Sequence, residues 1–232
     1  MATQLNLFPL PIHEDAITFA QADYKQALEQ TDVIIAERLR TARRWISKLK
    51  INKAIDDYHW IEIPKDNPNQ IEAEVKALLK EQKTIGIMSE SGTPCIADPG
   101  HFIVRLGHQH KYTVKPLLGP NSIILSLMAS GLNGQNFAFR GYLPVKEPAL
   151  IQELRNVEKR IRKDGQTQIY IETPYRNDRL LKTILNKMPQ DIHLCIASNV
   201  TADSEMILTQ TIKLWKQKVP VLGKEFCIFL LG

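Results

Sequence analysis

Apolar and polar positions in this chain alternate in blocks, not residue by residue. Residues 5–10 form a short apolar run punctuated by Pro9 and Pro11; residues 32–36, Asp-Val-Ile-Ile-Ala, form a second and residues 85–88 a third. Short runs that are apolar throughout, bounded by polar or turn-forming residues, are what strands buried on both faces give. Stretches with helical spacing separate them. Residues 14–30 read as a weakly amphipathic helix. Residues 38–49 read as a basic helix with Trp45, Ile46 and Leu49 on its apolar side, and residues 71–81 as a further amphipathic helix. Residues 58–63 add a strand, residues 64–69 a polar loop, residues from His101 a helix and residues 112–117 a strand. A helix over 123–130 follows, with Asn121 or Ser122 as its cap and residues 131–134, Gly-Leu-Asn-Gly, as its stop. Strands alternating with helices predict a parallel sheet covered on both faces.

The pattern changes after residue 134. Residues 137–143 form an aromatic strand, and residues 144–148, which start and end on proline, read as a domain junction. A charged helix over 149–163 leads to a strand at 168–172, a helix from Asn177, and strands at 191–197, 205–211 and 226–231. The expectation is an α/β protein of two domains, 1–143 and 144–232. The first has a mostly parallel sheet with flanking helices, the second a mixed sheet. No internal repeat or low-complexity segment interrupts it.

Composition narrows this only slightly. The chain has 232 residues, 44% of them hydrophobic and 24% charged, which is ordinary globular usage and enough to bury a core. No apolar run is long enough to cross a membrane, and the first residues lack the basic start and long apolar core of a signal peptide, so a cytoplasmic location is expected. Cys95, Cys195 and Cys227 are widely spaced and read as reduced thiols in or beside apolar runs. The formal net charge of +5 allows an anionic partner without requiring one. Basic residues cluster at 38–44 and 158–163, and the first cluster lies just past a strand end.

The most informative stretch is residues 84–100, Thr-Ile-Gly-Ile-Met-Ser-Glu-Ser-Gly-Thr-Pro-Cys-Ile-Ala-Asp-Pro-Gly. A buried strand passes abruptly into small, polar and turn-forming residues and then into a helix. Open α/β sheets bind ligands at such strand ends. Gly92 permits close backbone approach and Pro94 stiffens the loop. Asp98 reads as the helix N-cap, with Pro99 at the first helical position. The generic signatures Gly-x-Gly-x-x-Gly, Gly-x-x-x-x-Gly-Lys-Ser/Thr and His-Glu-x-x-His do not occur. His108 and His110 flank Gln109 with no third ligand nearby and read as surface residues, so no metal site is expected.

Residues 89–100 resemble the Ser-Asp-Ala-Gly-Thr-Pro-x-Ile-x-Asp-Pro-Gly motif of tetrapyrrole-methylase-fold enzymes, in particular the bacterial 16S ribosomal RNA cytidine ribose 2′-O-methyltransferases. Residues 116–120, Pro-Leu-Leu-Gly-Pro, are similar to Pro-Leu-Pro-Gly-Pro. Residues 137–146 are similar to Phe-x-x-x-Gly-Phe-Leu-Pro-x-Lys, residues 170–176 to Phe-Tyr-Glu-Ser-x-His-Arg, and residues 223–232 to a closing Gly-Glu-x-Val-x-x-x-x-Gly. Five blocks in the right order span nearly the whole chain. The resemblance implies a two-domain fold that binds S-adenosyl-L-methionine in the cleft between domains, usually as a homodimer, and acts on ribosomal RNA or the small ribosomal subunit. It places Pro11, Ser89, Glu90, Ser91, Gly92, Thr93, Ile96, Ala97, Asn121, Ser122, Ile171, Glu172 and Thr173 at the cofactor. It places Arg40, Lys146 and Arg176 at the substrate. Methyl transfer is an in-line displacement in which positioning supplies most of the catalysis.

The departures from the motif bear on the acceptor. The family's opening Pro-Thr-Pro-Ile-Gly-Asn appears as residues 9–14, Pro-Leu-Pro-Ile-His-Glu, with His13 in place of the glycine. His13 is expected to reshape the acceptor side and not to take the proton, since a neutral imidazole is a poor match for an alcohol of much higher pKa. The family's Ala-Glu-Asp-Thr-Arg keeps only Ala36, Glu37 and Arg40. Its Ala-Arg-Glu-Leu-Thr-Lys becomes residues 197–202, Ala-Ser-Asn-Val-Thr-Ala. The catalytic base is not identified by the sequence; Glu172, Arg176, Lys146 and Glu37 are the candidate catalytic residues. Glu172 and Arg176 also have a purely structural reading, as partners of one another. Two other functions compete: a small-molecule, tetrapyrrole-type methyltransferase, and a non-catalytic relative that binds the cofactor or a partner. The loop at 89–100 favours the RNA branch over the first, and heat of S-adenosylmethionine binding separates the second.

Overall fold

The structure is a computed structural model that describes residues 3–13 and 20–232. Its first sheet is built from β1 (Gln4–Phe8), β2 (Val33–Ala36), β3 (His59–Glu62), β4 (Ile85–Met88) and β5 (Thr113–Pro116). They lie in the order β3-β2-β4-β1-β5, and every adjacent pair is parallel. All four residues of β2 and of β4 are buried, as continuous apolar runs in a doubly covered parallel sheet require. Gly86 sits at the centre of β4 because a Cβ there would meet Phe8 Cε2 at 2.7 Å and Ile34 Cδ1 at 2.9 Å.

Helices cover both faces. The helix α1 (Ala22–Glu29) and the helix α2 (Leu39–Leu49) pack on one, where Leu28, Trp45, Ile46 and Leu49 meet Phe8, Ile34 and Met88. The helix α3 (Glu72–Lys80) and the helix α4 (His101–Gln109) cover the other, where Val75, Leu79, Phe102 and Ile103 meet Leu5, Ile35 and Ile87. The buried Tyr24 hydroxyl accepts from the Trp45 indole N–H at 2.9 Å and donates to the Pro9 carbonyl at 2.8 Å. This chain of bonds ties α2 and α1 to the segment leaving β1. The helix expected over 14–30 begins at Ala22, and the part of that expectation over 14–19 lies outside the described residues. Asp98 is not the cap of α4: Gly100 is, with φ of 122°, and the helix starts two residues later than Asp-Pro would place it.

The second sheet has the order β6-β7-β10-β8-β9, from β6 (Phe137–Tyr142), β7 (Thr167–Glu172), β8 (His193–Ser198), β9 (Met206–Thr211) and β10 (Cys227–Leu231). Only β6 and β7 are parallel. The central β10 is buried at all five positions. The helix α5 (Ser122–Ser130) covers one face through Ile123 and Leu127. The helix α6 (Glu147–Asp164), the helix α7 (Asn177–Lys187) and the short α8 (Ile212–Trp215) cover the other. In α6, Leu150, Leu154 and Val157 repeat at helical spacing on the buried side, and Gly165 closes the helix in the left-handed region.

The chain folds into two compact units, residues 1–121 and 122–232. The junction expected at 143/144 therefore lies earlier. The expectation read β6 as the end of the first domain; β6 instead pairs with β7, and α5 packs on β10, so both belong to the second unit. A strand's sheet is decided by its hydrogen-bonding partner, which local composition does not record.

Candidate functional site

The loop from Ser89 to Gly100 leaves the carboxyl end of β4 at the centre of the first sheet. Four of its residues have positive φ: Gly92 (67°), Cys95 (68°), Ala97 (64°) and Gly100 (122°). Side chains disfavour this region, so Cys95 and Ala97 are held there by the surrounding bonds. Leu10 and Gly92 exchange backbone bonds, N–H to carbonyl, at 2.8 and 3.1 Å, and so join this loop to the one after β1. The buried Ser89 hydroxyl donates to the Gly92 carbonyl at 2.9 Å and lies 3.1 Å from that of Ser91. Ser91 Oγ lies 3.4 Å from the carbonyls of Pro11 and Ile12. Asn121, at the end of the segment after β5, donates through Nδ2 to Thr93 Oγ1. The loops following three adjacent strands are thus fastened to one another at the carboxyl edge of the sheet.

Charge gathers at the same edge. The Glu37 N–H donates to the Met88 carbonyl at 3.1 Å, the Glu90 N–H donates to Glu37 Oε2 at 3.1 Å, and Arg38 pairs with Glu90 at 3.7 Å. Burial, then the carboxylates of Glu37 and Glu90, push the Asp98 carboxyl up to about 7. Burial and the Asp98 carboxylate push the Cys95 thiol up to about 11, which keeps it protonated. Asp98 is the residue that sequence reasoning assigned wrongly, as a cap. Its signal lay in the two glutamates at neighbouring strand ends, whose proximity only the sheet order reveals. A carboxyl that titrates near neutral pH can give or take a proton.

The cofactor residues expected on this unit, Pro11, Ser89, Glu90, Ser91, Gly92, Thr93, Ile96, Ala97 and Asn121, all lie on these joined loops. Ser91, Ile96 and Ala97 present exposed surface, Ile96 being 51% exposed. A Cβ on Gly92 would meet the Pro120 carbonyl at 3.5 Å and Ile12 Cγ1 at 3.9 Å, ordinary contacts, so it is the φ of 67° that asks for glycine there. Glu37 follows β2, Arg40 is exposed in the first turn of α2, and His13 is exposed after β1.

The remaining expected residues lie on the second unit. Ile171, Glu172 and Thr173 end β7, Ser122 opens α5 and Lys146 is the exposed N-cap of α6. The Glu172 side chain is fully buried; its Oε1 accepts from the Thr173 N–H at 2.6 Å and lies 3.2 Å from Thr173 Oγ1. Its Oε2 has no hydrogen-bond donor of good geometry but forms an ion pair with Arg176 at 3.0 Å. Arg176 also donates to the Leu143 carbonyl at 3.2 Å, tying the end of β7 to the segment that carries Lys146. The structural pairing of Glu172 with Arg176 is therefore present.

Comparison with known proteins places this geometry. The sequence model of the family described as tetrapyrrole (corrin/porphyrin) methylases matches residues 15–214. The chain is similar to the ribosomal RNA small subunit methyltransferase I of Haemophilus influenzae, 31% identical over 193 residues that cover 82% of this chain and 65% of that protein. It is similar to the protein of that name from Bacillus subtilis, 29% identical over 235 residues that cover 98% and 75%. The chain spans about two thirds of the length of the Haemophilus relative. Among solved structures it is similar to the methyltransferase CobJ, with a TM-score of 0.63 at 13% identity over 99% of this chain and 92% of that one. It is also similar to diphthine synthase, with a TM-score of 0.63 at 10% identity over 98% and 89%. At such identities the likeness is one of fold.

Proposed function

The chain belongs to the tetrapyrrole methylase family, and from that premise we propose that it is an S-adenosyl-L-methionine-dependent methyltransferase acting on RNA of the small ribosomal subunit, at a ribose 2′-hydroxyl. The observation that carries this reading is the loop at 89–100. It keeps the shape of a ligand cradle, with four positive φ values and a backbone bridge to the loop after β1. The curated relatives with which the chain shares about three residues in ten are named for methylation of that RNA.

The residues fit the cofactor. The loop after β4 offers hydroxyls at Ser91 and Thr93, exposed residues at 96–97, and at Gly92 a left-handed backbone that side chains disfavour. These groups bind the polar parts of the cofactor, and Ile96 offers apolar contact. The family resemblance assigns Ile171, Glu172 and Thr173, at the end of β7, to the cofactor as well. The cofactor, when bound, supplies a methyl carbon activated by a sulfonium. The chain's own part is to hold the acceptor oxygen in line with that carbon, because effective concentration and orientation account for most of the acceleration. Arg40, Lys146 and Arg176 hold phosphates of the acceptor, and RNA affinity accordingly weakens as salt rises. The proton of the acceptor hydroxyl passes to a base as the bond forms. A homodimer and a cytoplasmic location belong to the same proposal.

The test is calorimetry with S-adenosylmethionine, followed by transfer of labelled methyl to small ribosomal subunits from a strain lacking this protein. Binding without transfer to RNA favours the tetrapyrrole-type or non-catalytic alternatives; no heat of binding removes the cofactor assignment.

A further inference from the structure

Two aromatic rings of the second unit stand in solvent at the ends of neighbouring strands. Tyr175 follows β7 and is 81% exposed; Phe226 precedes β10 and is 74% exposed. The two strands are hydrogen-bonded, with Glu172 opposite Cys227, so both rings leave the same edge of the sheet. An aromatic side chain contributes most when buried, and a hydrated ring forgoes that stabilisation.

Neither ring is on a loose segment. The Phe226 carbonyl accepts from the Asn199 N–H at 3.0 Å, and its N–H approaches Asn199 Oδ1 at 3.4 Å. The buried Asn177 donates to the Glu225 carbonyl at 2.7 Å, and Asp178 accepts from the N–H groups of Leu222 and Gly223 at 2.8 and 3.2 Å. Residues 222–226 are thereby fastened to the start of α7, two residues after Tyr175. Asn199 itself lies in a constrained turn: it has φ of 49° and Thr201 has φ of 75°, an unfavourable region for a β-branched side chain. The Thr201 N–H is pinned by Glu205 Oε2 at 2.8 Å. Strain of this kind persists only where the surroundings over-determine it.

The charges nearby are unequal in their availability. The Lys224 ammonium lies 5.3 Å from the Tyr175 ring centroid. The carboxylates are engaged: Glu225 with Asn199, Asp178 with two backbone N–H groups, and Glu172 with Arg176. What the surface offers is therefore the Phe226 ring and the Tyr175 face that Lys224 does not cover, with a cation at Tyr175.

We infer that Tyr175 and Phe226 form a platform on which unpaired bases of RNA stack, with Lys224 beside them to meet an adjoining phosphate. The inference rests on the RNA reading given above. Every base has a π face, and aromatic side chains with basic neighbours hold unpaired strands on this ground without reading sequence. Lys224, whose ammonium lies over the Tyr175 ring, gives the patch a positive charge that a phosphate chain can meet.

The test uses the full chain and an unpaired RNA oligonucleotide carrying 2-aminopurine, whose fluorescence falls on stacking. Wild-type protein binds and quenches it. Tyr175→Ala and Phe226→Ala each weaken binding about ten-fold and reduce the quench, while Tyr175→Phe and Phe226→Tyr stay within about two-fold of wild type. S-adenosylmethionine affinity and the melting temperature, unchanged in all four, exclude misfolding. Alanine variants that bind RNA as tightly as wild type overturn the platform and leave the methyltransferase reading standing. Variants that alter sedimentation mass but not RNA affinity also overturn it, and identify a contact between protein copies. Wild-type protein that neither binds RNA nor methylates small subunits overturns the parent reading, and the platform with it.

Discussion

The strand-end regions of the two units are built by opposite means. After β4 the loop is shaped by main chain: positive φ values, a mutual backbone bridge between Leu10 and Gly92, and hydroxyls that accept or donate over a few residues. After β7 the turn is shaped by side chains: Glu172 with Arg176, Asn177 with two carbonyls, and Asp178 with two N–H groups. A main-chain cradle tolerates few residue types at each position, and it suits a ligand whose shape never changes. A side-chain scaffold can be rebuilt with different residues, and it suits an acceptor that differs between relatives. Departures from the family motifs at His13, 38–39, 198–200 and 202 fall on both units, and the loop from Gly92 to Gly100 is spared.

The largest effect expected from this contrast is at Gly92. Its φ of 67° lies in the left-handed region, which a β-branched residue adopts least readily, and left-handed backbone costs about 1–2 kcal/mol per non-glycine residue. Gly92→Val is expected to weaken S-adenosylmethionine binding about 100-fold or more, because the cradle distorts along with the strain. The cooperative melt persists because the loop lies outside the core. Calorimetry and thermal denaturation check the two halves, and wild-type affinity in a folded variant would break the assignment.

Next in size is Arg176. Removing it leaves the buried Glu172 carboxylate without its ion partner, which costs about 3 kcal/mol in comparable pairs. Arg40→Ala, at an exposed position in α2, is expected to change stability by no more than about 0.5 kcal/mol. Urea denaturation of both variants measures the difference. Equal stability would mean that the second region is not held by its side chains.

Sequence reached these two regions unequally. The strands of the first sheet were legible because all-apolar runs such as 33–36 and 85–88 have one fold to fit, and the loop at 89–100 because its small residues are dictated by backbone geometry. The boundary at 121/122 was not legible, because the aromatic strand β6 carries no mark of which sheet it joins. Asp98 was read as a cap because Asp-Pro before a helix usually is one. Its role at the carboxylate cluster depends on Glu37 and Glu90, which β-sheet order brings near it. Tyr175 and Phe226 were quoted within motifs, yet nothing in the sequence says that both rings face water.

A smaller effect is expected in the pH dependence. Asp98 has an ordinary carboxylate value near 4 when unfolded and about 7 in the fold. The folded state then binds more protons between those values, so this group's contribution makes stability fall as pH rises from about 4 to about 7, with no further change above. Asp98→Asn removes the slope. Urea midpoints from pH 5 to 8 check it: the wild-type midpoint falls over that range more steeply than that of the variant. Parallel curves would mean that burial and the neighbouring glutamates do not raise the Asp98 carboxyl.

The smallest effect is expected at His13. His13→Ala and His13→Gly are expected to retain turnover within a few-fold in steady-state methyl transfer, since the residue shapes the first loop. A loss by orders of magnitude with unchanged cofactor affinity would assign it the proton instead.

The central claim is that this chain carries a methyl group from S-adenosylmethionine to RNA of the small ribosomal subunit. The direct measurement is transfer of labelled methyl to small subunits from a strain lacking the protein, followed by digestion to nucleosides. The account predicts label in a single ribose-methylated nucleoside, absent when Gly92→Val replaces the wild type. Label confined to a base, or protein that binds the cofactor tightly yet leaves the RNA unlabelled, would contradict it.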